Sequence, residues 1–149
     1  MKPLEITVLD PIKLPLVSRL YKAHYPSAKA KRNELTLTGY CDATLAAVVR
    51  LRPIDQYRLL TGMLVIPSHQ NMGYGHQLLN YCQQHLLTGQ DFCFAYQHLQ
   101  NFYAGHGFHA LDADALPHPL STLFQRYSSA GKQLVAMQYQ PTGPLERPE

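Results

Sequence analysis

The pattern of apolar and polar positions in this chain switches repeatedly between a strand period and a helix period. Leu4 to Leu9 reads as a first strand. Pro11 to His24 places apolar residues at Leu14, Leu16, Val17 and Leu20, which is helical spacing. Pro26 to Asn33 is a polar, lysine-bearing connection. Glu34 to Tyr40 sets Leu35, Leu37 and Gly39 against Glu34, Thr36 and Thr38. Cys41-Asp42-Ala43 then reads as a tight turn, and Thr44 to Arg52 as the returning strand of a hairpin. Pro53 to Gln56 turns the chain again. Tyr57 to Ile66 is almost wholly apolar, so it belongs in the centre of a sheet covered on both faces.

Tyr74 to Thr88 is the clearest helix. Leu78, Leu79, Cys82 and Leu86 share one face, and Gly89 is a natural terminator. Asp91 to Tyr96 reads as a short buried strand, and Gln97 to His106 as a short helix ended near Gly107. Phe108 to Leu111 can be a strand, and Asp112 to Pro119 a loop. Leu120 to Tyr127 reads as a helix. Gln133 to Tyr139 alternates as a last strand, expected at a sheet edge, where it can pair between copies and form a homodimer. The order β-α-β-β-β-α-β-α-β-α-β is mixed α/β. Its early hairpins precede a strand–helix–strand unit whose strands should be parallel. Residues 1–140 make one domain, with residues 141–149 as a loose, proline-bearing tail.

Composition narrows the class. No apolar run reaches the roughly 20 residues of a bilayer span, and the first ten residues lack a signal-peptide core. A cytoplasmic protein is therefore expected, without a membrane partner. The chain carries 13 Lys+Arg against 10 Asp+Glu. That excess is too small for a nucleic-acid footprint, and Lys22, Lys29, Lys31 and Arg32 read as a solvated stretch. The odd count of cysteines, Cys41, Cys82 and Cys93, and their wide spacing support neither a disulfide framework nor a metal site. Cys82 and Cys93 fall at apolar core positions, and Cys41 in a turn.

The stretch from Val65 to Leu79 carries the chemistry. An apolar strand ends, a glycine-bearing turn follows, and a helix begins at once. That order gathers free backbone N–H groups and the positive end of a helix dipole around one small volume, which suits phosphate. Gly73 and Gly75 remove side chains where a diphosphate approaches the backbone. The amides of Met72, Gly73, Tyr74, Gly75 and His76 are the expected ligands. No Gly-Lys-Ser/Thr is present for a nucleoside triphosphate with magnesium, and no acidic residue suited to a ribose follows.

Here the chain resembles the GNAT N-acetyltransferase superfamily. Gln70-Asn71-Met72-Gly73-Tyr74-Gly75 matches that family's Gln/Arg-x-x-Gly-x-Gly/Ala. Phe102-Tyr103-Ala104-Gly105-His106-Gly107-Phe108 fits its Phe-Tyr-x-x-x-Gly-Phe, one short strand later. The resemblance implies an α/β (α+β) fold. Its mixed, mostly antiparallel sheet of six to seven strands would splay between the fourth and fifth, beside about four helices. It also implies acetyl-CoA as cofactor. The pyrophosphate would sit on the turn Gln70 to Gly75, and the pantetheine arm would lie along the backbone of Met63, Leu64 and Val65.

The implied activity is transfer of an acetyl group to a primary amine of a small molecule or a protein. The alternative is a non-catalytic CoA-sensing module that binds a partner protein. Acyl transfer needs a neutral amine, a donor for the oxyanion and a proton for the leaving thiolate. By resemblance, Tyr103 protonates the sulfur, and a backbone N–H near Val65 serves the oxyanion. The family's strand glutamate is replaced by Leu59, so the base would be water, His98, His106 or none. A family asparagine that contacts the cofactor is replaced by Tyr96, with Gln97 or Asn101 as substitutes. The acceptor would enter between roughly Leu20 to Arg32 and Asp112 to Pro119. There Asp112 and Asp114 can attract an amine, and the lysines at 22, 29 and 31 tolerate an acidic partner.

Overall fold

The computed structural model describes residues 3–141. Most of the expected tail, residues 142–149, lies outside the described residues. Among the described residues the strands are β1 (Glu5–Val8), β2 (Leu35–Cys41), β3 (Thr44–Ile54), β4 (Tyr57–Val65), β5 (Asp91–Tyr96), β6 (Phe108–Ala110) and β7 (Leu134–Tyr139). The α-helices are α1 (Leu14–His24), α2 (Tyr74–His85), α3 (Gln100–Ala104) and α4 (His118–Ser129). One mixed sheet runs β1-β2-β3-β4-β5-β7-β6. Every neighbouring pair is antiparallel except β4 and β5. The alternation read from the sequence is therefore the alternation observed, and the strand–helix–strand unit is parallel as expected.

Three of the boundaries that move have a clear local reason. The turn after β3 is only Asp55–Gln56, with Asp55 at φ +54, and Pro53 and Ile54 stay in the strand opposite Arg58 and Tyr57. Helix α2 stops at His85 rather than near Gly89, because the Leu86 and Leu87 amides both close on the Cys82 carbonyl. That turn tucks Leu87 into the core at 8% exposure. Helix α4 begins at His118, inside the expected loop, since a proline in the first helical turn needs no N–H partner.

One expectation is overturned. Strand β7 is not at an edge; it lies between β5 and β6, and β1 and β6 form the edges. The chain returns inward because the inner part of β7, with Ala136 and Met137 buried, has cover on both faces. The basis for pairing between copies through this strand disappears with it.

The central strand β4 is apolar because helices cover both of its faces. Leu60 packs with Leu78, Leu79 and Cys82 of α2, while Leu59 packs with Leu120 and Leu123 of α4. Past Leu60 the register against β3 slips, so that Val48 faces Leu64 and Arg50 faces Thr61. Gly62 sits in this bulge at φ +69. Leu64 then joins Val17 and Tyr21 of α1, and Met63 and Val65 face the α2 side.

Strands β4 and β5 pair only from Arg58–Asp91 to Leu60–Cys93. Their closed end is pinned by the fully buried Asp91, whose carboxylate accepts from Arg58 at 2.7 and 2.9 Å and from the Thr88 amide at 2.8 Å. Beyond Leu60 they part, and the β5-facing edge of β4 is left without a strand partner.

Candidate active site

The turn expected to hold phosphate is built by its own short-range bonds. A 3₁₀ turn over Pro67–His69 follows β4, and the Gln70 side-chain amide donates back to the Val65 carbonyl at 2.9 Å. Asn71 and Gly73 take left-handed conformations, φ +64 and +84, which reverse the chain into α2. A side chain at Gly73 would meet open space, so backbone conformation rather than crowding calls for glycine there. At Gly75 the reason is crowding, since a Cβ would come within 3.2 Å of the Phe102 ring. No side chain caps α2, no acid sits in its first turn, and its first intrahelical bond runs from the Gln77 amide to the Gly73 carbonyl. The positive end of the helix therefore faces a cavity of about 410 Å³ walled by His69, Gln70, Asn71, Gly73, Gly75 and His76.

That cavity adjoins the gap between the splayed strands. Met63, Leu99 and Tyr103 line both it and a second cavity of about 240 Å³, bounded by Leu60 to Met63 on one side and Cys93 to Tyr96 on the other. Tyr103 stands at the junction. Only 7% of it is exposed, and its ring meets Phe102 and Phe108 edge-on. Burial raises its pKa well above the ordinary tyrosine range, with smaller contributions from Cys93 and Tyr25. The hydroxyl is thus a donor at neutral pH.

Beyond the gap lies a third cavity of about 300 Å³, sharing Tyr25, Thr61, Gly62, Tyr127 and Lys132 with the second. Its inner wall is a buried polar chain. Tyr21 donates to the Gly62 carbonyl at 2.7 Å, and Arg50 donates to the Tyr21 hydroxyl at 3.2 Å. Arg50 also donates to both Glu34 oxygens, at 2.8 and 3.0 Å, and to the Lys29 carbonyl at 2.6 Å. A Cβ at Gly62 would lie 2.6 Å from the Tyr21 hydroxyl, so the bulge and this chain require each other. Burial pushes the Tyr21 pKa up to about 12 against the pull of Arg50. Burial alone would lower that of Arg50, but Tyr21 and Glu34 outweigh it and raise it, so the guanidinium stays charged.

Of the residues singled out from sequence, Met63, Val65, Gln70, Asn71, Gly73, Tyr74, Gly75, His76 and Tyr103 converge on the first cavity. Leu64 turns to α1, and Met72 and Asn101 are exposed and outside these walls. Leu59 is buried under α4. His106 bonds His76 at 2.8 Å and Gln83 at 3.0 Å, and His98 stacks on Tyr96; neither lines the three cavities. Asp112 and Asp114 are exposed and also absent from the walls; Tyr127 and Lys132, near the end of α4, take that place. Sequence reasoning passed over Tyr21, Tyr25, Arg50 and Glu34. The available signal was Arg50, a charge inside the apolar run Leu45 to Leu51.

Residues 32–110, more than half of the chain, match the model of the acetyltransferase (GNAT) domain, so the chain belongs to the GNAT acetyltransferase family. The fold is also that of solved N-acetyltransferases. The N-acetylglutamate synthase of Neisseria gonorrhoeae, complexed with coenzyme A and N-acetyl-glutamate, superposes with a TM-score of 0.73 at 16% identity over 96% of this chain. This chain spans only 36% of that longer protein. The ribosomal-protein-S18-alanine N-acetyltransferase of Escherichia coli gives 0.65 at 14% identity, over 98% of this chain and 99% of the other. The PaiA N-acetyltransferase of Thermoplasma acidophilum, in complex with coenzyme A, gives 0.58 at 15%, over 93% and 99%. At such identities the likeness is one of fold. No curated protein matches the chain significantly in sequence.

Proposed function

We propose that this protein is an acetyl-CoA-dependent N-acetyltransferase acting on a primary amine. The observation that carries the reading is Tyr103, a buried donor in the wall shared by the cavity at the α2 N-terminus and the gap between β4 and β5. The pyrophosphate lies on the turn from Gln70 to His76, with Met72 among its backbone donors. The pantetheine arm runs along the unpaired edge of β4 at Met63, Leu64 and Val65, as an added strand would. Asn101 contacts the cofactor from the solvent side.

The neutral amine attacks the thioester carbonyl, and a backbone N–H near Val65 receives the oxyanion. As the carbon–sulfur bond breaks, the electron pair leaves with sulfur, and Tyr103 supplies its proton. Burial that disfavours tyrosinate also disfavours a thiolate, so donor and acceptor shift in the same direction. The amine loses its proton to water, and Tyr103 is reprotonated from solvent as CoA leaves. A cytoplasmic location is supported by the free thiols Cys41, Cys82 and Cys93. Among the described residues no helix is long and apolar enough to cross a membrane.

The second reading is a CoA-sensing module without turnover, favoured by the apolar Leu59 on β4. Calorimetry with CoA, then thiol release from acetyl-CoA over an amine panel, separates the two. Release that Tyr103→Phe suppresses supports the enzyme. CoA binding without release on any amine supports the sensor, and no CoA binding sinks both.

A further inference from the structure

We propose that the acceptor is a small amine that also carries an anionic group, a carboxylate or a phosphate, seated in the third cavity. This rests on the acetyltransferase reading for the direction of transfer, but its geometry stands apart from the cofactor. Three separated segments bring cations to one volume: Lys29 and Lys31 from the α1–β2 connection, Arg50 and Arg52 from β3, and Lys132 from the α4–β7 turn. Among the described residues the one carboxylate in that wall is Glu34, and both of its oxygens are taken by Arg50. The ion pair is buried, with 6% and 1% of the two side chains exposed. It closes the floor and leaves the field of the other cations uncancelled.

Two of those cations are held by one ring. Arg52 donates to the Tyr127 hydroxyl at 3.1 Å, and the Lys132 ammonium lies 5.4 Å from the centre of the Tyr127 ring. Tyr127 thus places two positive groups at the passage toward Tyr103, since Tyr127 and Lys132 line both this cavity and the gap. An acceptor whose anionic end meets them points its other end into the gap, where the thioester lies. A polyamine or a lysine-rich peptide would instead place positive charge against positive charge. At about 300 Å³ the cavity is at the small end of ligand pockets, which suits a small molecule.

The test is direct binding to the full chain with and without CoA, by calorimetry, using matched probes. β-Alanine is set against propylamine for the carboxylate, phosphoethanolamine against ethanolamine for the phosphate, and spermidine is the polycation. At least one anionic probe is expected to bind about tenfold more tightly than its uncharged-tail partner. Added salt is expected to shrink that ratio. The doubly reversed variant Lys29→Glu/Lys31→Glu should abolish the preference while CoA uptake remains, since both positions are exposed and line this cavity but not the gap. Equal binding of the paired probes, preference for spermidine, or no binding of any probe to a chain that takes up CoA overturns the proposal. A chain that favours the anionic probes but takes up no CoA keeps this site and refutes the acetyltransferase reading instead.

Discussion

The two ends of this row of adjoining cavities are made in different ways. The end at α2 is made of backbone: left-handed Asn71 and Gly73, an uncapped helix start, and Gly75 placed for want of room beside Phe102. Its parts lie within a few residues of one another. The opposite end is made of side chains, Tyr21, Glu34, Arg50, Arg52 and Lys132, supplied by distant segments. Backbone amides offer the same chemistry in any sequence that adopts the turn, so the first end suits a ligand shared across a family. Side chains differ from chain to chain, so the second end is where this protein states its own preference.

The comparison breaks most sharply at the residue between the ends. Tyr103→Phe is expected to lower kcat by about 10²- to 10⁴-fold with CoA affinity little changed, read by thiol release and calorimetry. A loss of affinity with kcat intact would move Tyr103 from proton donor to cofactor contact. At the side-chain end, Arg50→Ala strands a Glu34 side chain that is 1% exposed. It should cost roughly 3–5 kcal/mol in urea unfolding, whereas Arg50→Ala/Glu34→Gln recovers part of that loss. At the backbone end, Gly73→Val forces a β-branched residue to φ +84. It should cost on the order of 1–3 kcal/mol of stability and weaken CoA binding, while Gly73→Asn is milder.

The smallest effect concerns pH. Burial and the neighbouring His76 lower the His106 pKa from the ordinary 6.5. The unfolded chain therefore binds its proton first as pH falls, so this contribution is whole above the ordinary value and is lost between it and the lower folded value. Melting temperatures measured from pH 8 to 5 should decline through that window, and His106→Gln should flatten the decline.

Much of the fold is legible because its signals are local. Leu78, Leu79 and Cys82 mark the buried face of α2 by their spacing alone, and the apolar run of β4 announces a central strand. The turn from Gln70 to Gly73 is legible for the same reason, since it is built by bonds and backbone conformations within a few residues. Legibility fails where one residue serves partners far along the chain. Strand β7 looks like an edge because its alternation does not reveal that β6 turns back onto its outer side. Pro53 reads as a turn, yet its place opposite Arg58 is decided by where the two-residue turn at Asp55 closes the hairpin.

What the chain determined by itself is the succession of elements, the parallel unit and the phosphate-suited turn, all of which follow from spacing within a few residues. What only the tertiary structure decided is the end built of side chains. Glu34 and Arg50 are 16 residues apart, and Arg52 and Tyr127 are 75 apart. The energy of such pairs depends on burial and distance that exist only once β2, β3, β4, α1 and α4 have packed, so no local pattern encodes them.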